Sequence, residues 1–141
     1  MIDDDSTPRA PLRTGDARGS RRRASFDVLL VEDDRDAATL MRIFLEKAGH
    51  RVTTAGSGPT ALAAATRAFD TIILDLGLPD LPGAEVLREL KQRPLFARTR
   101  FICLSGRREQ DVDWRALGFD HYLEKPVRFA ELARLLGPRS D

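Results

Sequence analysis

Three short apolar runs, each ending on a polar or acidic residue, constrain this chain more than any other feature. Asp27-Val28-Leu29-Leu30-Val31 runs into Glu32-Asp33-Asp34, Thr71-Ile72-Ile73-Leu74 into Asp75, and Phe101-Ile102-Cys103-Leu104 into Ser105. A strand that is apolar at successive positions has no solvated face, so it belongs in a sheet covered on both sides. Between these runs the period changes. Ala37, Leu40, Met41, Phe44, Leu45 and Ala48 recur at helical spacing, and Gly49 stands where a helix ends. A second strand is expected at 52–55, followed by a helix that Ser57 caps, with Pro59 in its first turn, running to about residue 68. After a loop at 78–83, Val86, Leu87 and Leu90 mark a third helix. A weak helix near 110–117 stops at Gly118, and a brief strand follows around 121–123. Phe129, Leu132, Leu135 and Leu136 form the closing helix, ended by Gly137-Pro138. Five strand–helix units imply an α/β fold with a parallel sheet, because parallel strands need helical crossovers.

The 141 residues fit one domain. Before Phe26 the only large apolar residues are Met1, Ile2 and Leu12, so residues 1–24 are expected to form a disordered tail. The domain is expected at 25–137, with a short tail at 138–141. The tail holds six arginines against four aspartates, and Arg21-Arg22-Arg23 superficially resembles a twin-arginine export signal. The apolar stretch behind it is too short and too soon acidic for such a signal. A solvated arginine cluster and one that docks on nucleic acid or anionic lipid both remain open. Over the whole chain 23 Lys+Arg nearly balance 22 Asp+Glu, which argues against a dedicated nucleic-acid binder. No apolar run approaches the about 18 residues of a membrane span. With the lone Cys103, this makes the cytoplasm the expected compartment.

In an open α/β sheet, ligands sit beyond the carboxyl ends of the strands. Those ends carry Glu32, Asp33 and Asp34, then Asp75, then Ser105, and finally Lys125-Pro126. Clustered carboxylates repel one another, and a single lysine cannot neutralise them. A hard divalent cation can, and an all-oxygen donor set suits Mg²⁺ rather than zinc. Metal, ammonium, hydroxyl and a nucleophilic carboxylate together are the apparatus of phosphoryl transfer. The product is an aspartyl phosphate. No Gly-rich nucleotide loop is present, so the phosphoryl group is expected from another protein or a small donor.

These segments resemble the receiver domain of two-component response regulators. The resemblance rests on Leu30-Val31-Glu32-Asp33-Asp34, on Ile73-Leu74-Asp75-Leu76-Gly77-Leu78-Pro79 with Gly83, on Leu104-Ser105-Gly106, and on 118–126, Gly-Phe-Asp-His-Tyr-Leu-Glu-Lys-Pro. It covers about residues 26–137. It implies a flavodoxin-like sheet in the order 2-1-3-4-5, with the site between strands one and three. By position, Asp75 corresponds to the phosphoacceptor, Asp33 to the direct metal ligand and Glu32 to its water-bridged companion. Gly77 would offer its backbone carbonyl to the metal. Lys125 resembles the phosphate-binding lysine, Ser105 the switch hydroxyl and Tyr122 the switch aromatic. A cis peptide at Lys125–Pro126 is implied too, as is a partner histidine kinase or phosphotransfer protein. The sequence stops five residues after Leu136, so a stand-alone receiver without a DNA-binding domain is expected. Its signal would leave by protein–protein contact or by onward phosphorelay.

Plainer readings stand beside these. Asp75 and Ser105 could cap loops, Glu32 and Asp33 could be the acidic first turn of a helix, and Lys125 a surface charge. Tyr122 could be a strand aromatic, Cys103 a core residue, Trp114 packing or a partner contact, and His50 and His121 surface residues. Asp75 could also be the nucleophile of a phosphohydrolase or dehalogenase, but these usually carry a second acid two residues on, where Gly77 stands. A binding module indifferent to phosphorylation is a further alternative. Two departures from the receiver pattern are visible. Gly77 has no side chain where many receivers carry one. The Ser105-to-Lys125 interval is also about two residues short, roughly half a helical turn within the fourth helix. In receivers the side chains two residues beyond the acceptor and the switch hydroxyl flank the path of attacking water; here these are Gly77 and Arg107, and Arg107 is expected to pair with phosphoryl oxygens.

Overall fold

The structure, a computed structural model, describes residues 26–137; the expected tails at 1–24 and 138–141 lie outside that range. Strands β1 (Asp27–Val31), β2 (Arg51–Ala55), β3 (Thr71–Asp75), β4 (Arg100–Ser105) and β5 (His121–Glu124) form one parallel sheet in the order β2-β1-β3-β4-β5. The crossovers are α1 (Arg35–Lys47), α2 (Gly58–Ala64), α3 (Gly83–Lys91) and α4 (Trp114–Leu117), and α5 (Phe129–Leu135) closes the chain. Within each central strand the side chains alternate between two cores, as the period of two requires. Val28 and Leu30 join Met41, Leu45 and Leu132 beneath α1 and α5, whereas Leu29 and Val31 join Ala61, Val86 and Leu87 beneath α2 and α3. The all-apolar runs are thus buried on both faces, and the expected α/β architecture and strand order hold.

Several local expectations need correction. Asp34 does not join the acidic site; its carboxylate caps α1, accepting the N–H groups of Asp36 and Ala37. At the other end of α1, Gly49 takes φ 98° just past the cap, as expected. The buried stripe of α1 is narrower than its apolar stripe, because Leu40 is 58% exposed. Helix α2 stops at Ala64 rather than near residue 68. Ala65 leaves helical geometry at ψ 61°, and the chain descends so that Phe69 enters the core and Asp70 meets the start of β1. There Asp70 accepts the Asp27 N–H and donates its own N–H to the Asp27 carbonyl. The fourth helix is a single turn at Trp114–Leu117, preceded by a 3-10 turn at Glu109–Asp111. Between the two, Val112 is extended (φ −128°) and drops its side chain into the core, which breaks the helix expected at 110–117.

The two histidines are half-buried rather than on the surface. His50 Nδ1 accepts the Phe26 N–H at 3.0 Å, and its ring stacks on Phe26. Burial lowers the pKa of both imidazoles; at His121 the nearby Arg100 and Arg134 charges add to the effect, against an opposing pull from Asp120. Among the described residues, no helix is long and apolar enough to cross a membrane.

Gly83 fixes how α3 enters the fold. A Cβ there would lie 2.3 Å from the Asp75 carbonyl oxygen and 2.9 Å from Leu76 Cα, so the helix start lies directly on the backbone that follows β3. That backbone cannot yield without moving Asp75. Gly83→Ala is therefore expected to destabilise the fold by about 1–3 kcal/mol, the usual cost of overpacking. Urea unfolding of the variant against the parent measures it, and unchanged stability would show that the contact is not tight.

Candidate functional site

Glu32 and Asp75 sit at the C-terminal ends of adjacent strands, β1 and β3, on the edge where the sheet order reverses. Both are buried, at 2% and 4% exposure, whereas Asp33 is exposed. One carboxylate oxygen from each of Glu32, Asp33 and Asp75 lies within 4.8 Å of the others. Lys125, just beyond β5, reaches across β4 to this cluster. Its Nζ stands 2.8 Å from Asp75 Oδ2 and 3.0 Å from Glu32 Oε1. Asp75 Oδ1 accepts the Gly77 N–H at 2.8 Å, so both oxygens of Asp75 are held. Glu32 Oε2 accepts the Asp34 N–H at 3.0 Å. The Lys125–Pro126 peptide is cis.

The electrostatics follow from crowding and burial. Burial raises the Glu32 pKa, and the neighbouring Asp75 charge adds to it; the Asp34 N–H and Lys125 pull the other way without cancelling the rise. For Lys125, burial works against the ammonium, but Asp75 and Glu32 outweigh it and hold its pKa above the usual value. Glu32 Oε1 is buried and makes no hydrogen bond; its approach to Lys125 is an ion pair without hydrogen-bond geometry. A buried oxygen with an unused lone pair, inside an all-oxygen cluster, matches what a small hard cation takes. The donor set and its placement fit Mg²⁺.

A cavity of about 440 Å³ opens over the cluster, lined by Asp33, Asp75, Gly77, Ser105, Arg107 and Lys125 among others. Glu32, Asp33, Asp75, Ser105, Gly77 and Lys125 are therefore brought to one strand edge, as the sequence implied. Ser105 is buried at the end of β4, and its Oγ accepts the Arg107 N–H at 3.1 Å. Arg107 lines the same cavity, and one guanidinium N–H donates to the Asp111 carbonyl at 2.9 Å. Tyr122 is buried on β5, and its hydroxyl donates to the Arg107 carbonyl at 2.6 Å. Burial raises its pKa. Cys103 is buried in β4 with its thiol pushed up to about 12, by burial first and then by the Asp75 charge, so it is an inert core residue. Trp114 packs inside as well. Sequence reading missed the backbone donors of Gly77, Arg107 and Asp34, because an amide pointed by the chain's course leaves no mark in residue type.

Comparison with known proteins gives this geometry its family. Residues 28–136 match the response regulator receiver domain. The chain belongs to that family. Over 113 residues it is 44% identical to the KDP operon transcriptional regulatory protein KdpE of Escherichia coli, covering 77% of this chain and 49% of KdpE. It is 27% identical to the response regulator SaeR of Staphylococcus aureus, covering 74% of this chain and 46% of SaeR. The chain thus spans about half the length of these curated relatives. Among solved structures, the receiver domain of sensor histidine kinase PA1611 from Pseudomonas aeruginosa, with a magnesium ion coordinated in its active-site cleft, is 32% identical. It superposes with a TM-score of 0.73, covering 80% of this chain and 95% of that one. A CheY-like receiver domain from Methylobacillus flagellatus is 34% identical, with a TM-score of 0.70 and coverage of 78% and 94%.

Proposed function

We propose that this receiver accepts a phosphoryl group on Asp75 from the phosphohistidine of a histidine kinase or phosphotransfer protein, in an Mg²⁺-dependent reaction. The observation that carries the proposal is Asp75 itself, a buried carboxylate held at both oxygens at the floor of a polar cavity. A carboxylate oxygen forms the new bond to phosphorus as the phosphorus–nitrogen bond breaks, and the imidazole leaves with the electron pair. Lys125 stands where its ammonium balances the arriving phosphoryl oxygens, and Ser105 Oγ lies on the cavity wall to donate one hydrogen bond. Glu32, Asp33, Asp75 and the Gly77 carbonyl would hold Mg²⁺, which supplies charge neutralisation at the phosphoryl group when bound. Phosphate esters are not turned over, because no second acid follows the nucleophile.

The donor protein docks beside the site. An apolar recess of about 230 Å³, lined by Ala37, Leu40, Met41, Pro126, Val127 and Phe129, adjoins Glu32 and Lys125. Leu40 and Ile43 leave α1 exposed at 58% and 41%. A partner helix carrying the phosphohistidine would cover them. Output passes to a further protein or onward by relay, with Ser105 and Tyr122 as the switch pair.

Acetyl phosphate with Mg²⁺ is expected to add one phosphoryl group to the parent protein and none to Asp75→Asn, read by intact mass. Equal labelling of the variant would refute the proposal. The lifetime of the product depends on how water is aligned behind the phosphorus. Gly77 can orient nothing, and Arg107, turned to Asp111, carries no base. Slow self-dephosphorylation follows. A Cβ at Gly77 meets nothing nearer than Asp75 Oδ1 at 3.6 Å, so Gly77→Asn fits without strain. That substitution is expected to speed loss of the label roughly tenfold, about 1.4 kcal/mol of barrier. Decay of radiolabelled protein with Mg²⁺ and no partner measures it; a parent that empties within seconds, or a slower variant, would contradict the assignment.

A further inference from the structure

All strands of a parallel sheet start at one edge, and the helices that return across it end there too. That edge lies opposite Asp75, and its outward charges are positive. Lys47 ends α1, Arg51 opens β2, Arg67 and Arg98 precede β3 and β4, and Arg134 lies in the last turn of α5. All five are exposed, Arg51 with 81% of its side chain in solvent. Helix C-termini favour cations in any fold, which accounts for Lys47 and Arg134. Arg51, Arg67 and Arg98 belong to no α-helix, so no helix dipole accounts for them.

The acids of this edge are engaged by the fold. Asp27 is buried and pairs with both Arg51 and Arg67, which leaves that trio positive. Asp70 accepts the Asp27 N–H and Asp120 the Phe101 N–H, each at 2.8 Å. Glu131 pairs with Arg134, whereas Lys47 and Arg98 make no ion pair among the described residues. The opposite edge is acidic, with Glu32, Asp33 and Asp75 clustered and Asp80 exposed in the loop beyond β3. A chain of nearly balanced charge thus folds into a domain with two poles. The arginine triplet adjoins the positive pole. Phe26 starts there, its carbonyl accepting the Arg51 N–H at 2.9 Å. Arg21 is five residues earlier, at most about 18 Å of extended chain.

We propose that this edge and Arg21-Arg22-Arg23 together hold the protein reversibly on an anionic lipid surface, with the acceptor edge turned away from it. Strands of five residues put about 16 Å between the two edges. That exceeds the Debye length of about 10 Å, so a negative plane attracts one pole without repelling the other. The cations at the starts of β2, β3 and β4 are spread over about 14 Å of sheet edge. Such a spread fits a plane of headgroups, whereas a nucleic-acid site would gather them along one helix or stripe. Attachment by charge alone is weak and reversed by salt, and it leaves the Asp75 cavity open to a partner.

The test is sedimentation of the full-length protein with vesicles of phosphatidylcholine, alone or with about 30% phosphatidylglycerol. The parent is expected to sediment with the anionic vesicles only, and to be released by about 1 M salt, where charges are screened beyond about 3 Å. Each lost cation is expected to lower the partition coefficient about fivefold, from about 1 kcal/mol near such a surface. Lys47→Gln with Arg98→Gln is therefore expected to bind about 25-fold more weakly, and Arg21→Gln with Arg22→Gln and Arg23→Gln about a hundredfold. Asp80→Asn, at the acceptor edge, is expected to bind as the parent does. Equal sedimentation with the two vesicles, binding that persists in salt, or parent-like binding by either multiple variant overturns the proposal. Tighter binding of Asp80→Asn overturns the orientation, because the acceptor edge would then face the lipid. Retention of the parent by duplex DNA but not by anionic vesicles assigns the edge to nucleic acid and defeats the lipid surface.

Discussion

One ammonium group ties together the C-terminal edge of the sheet. Lys125 follows β5, yet its Nζ reaches past β4 to Asp75 on β3 and Glu32 on β1. Two buried carboxylates side by side are unfavourable in the folded state unless a positive charge stands between them. The raised pKa of Glu32 records that strain, and the raised pKa of Lys125 records the compensation. The same arrangement leaves the cluster short of positive charge, with Asp33 exposed beside it and Glu32 Oε1 lacking a hydrogen bond. A site with that deficit suits a hard cation, in line with the donor set.

The sheet supplies the geometry. Its apolar strands are covered on both faces, so polar residues can collect only where strands end, and the reversal between β1 and β3 opens a crevice there. Gly83 lets α3 begin against the Asp75 backbone, which fixes the acceptor from behind.

Most of the fold was legible because its strands are apolar at every step and its helices carry a regular stripe. Glu32, Asp33, Asp75, Ser105 and Lys125 were legible as strand-end residues, since topology forces such positions together. What escaped was decided by tertiary packing. Nothing in the residues near Ala65 says that the helix must stop so that Phe69 and Asp70 can meet the sheet. Val112 looks helical in sequence but is extended, with its side chain buried in the core. Asp34 reads as a third acid of the cluster, but two α1 amides claim it. His50 reads as a surface residue and instead is half-buried and accepts the first amide of the described domain.

The central claim is that Glu32, Asp33 and Asp75 form one cation site at the acceptor. Calorimetric titration of Mg²⁺ into the parent protein and into Asp33→Asn tests it most directly, because Asp33 is exposed and its neutralisation leaves the buried Lys125 pairs intact. The account predicts a single saturable site in the parent, weakened roughly tenfold or more in the variant, a change of about 1.4 kcal/mol. Absence of saturable binding in the parent, or equal affinity in the two proteins, would contradict it.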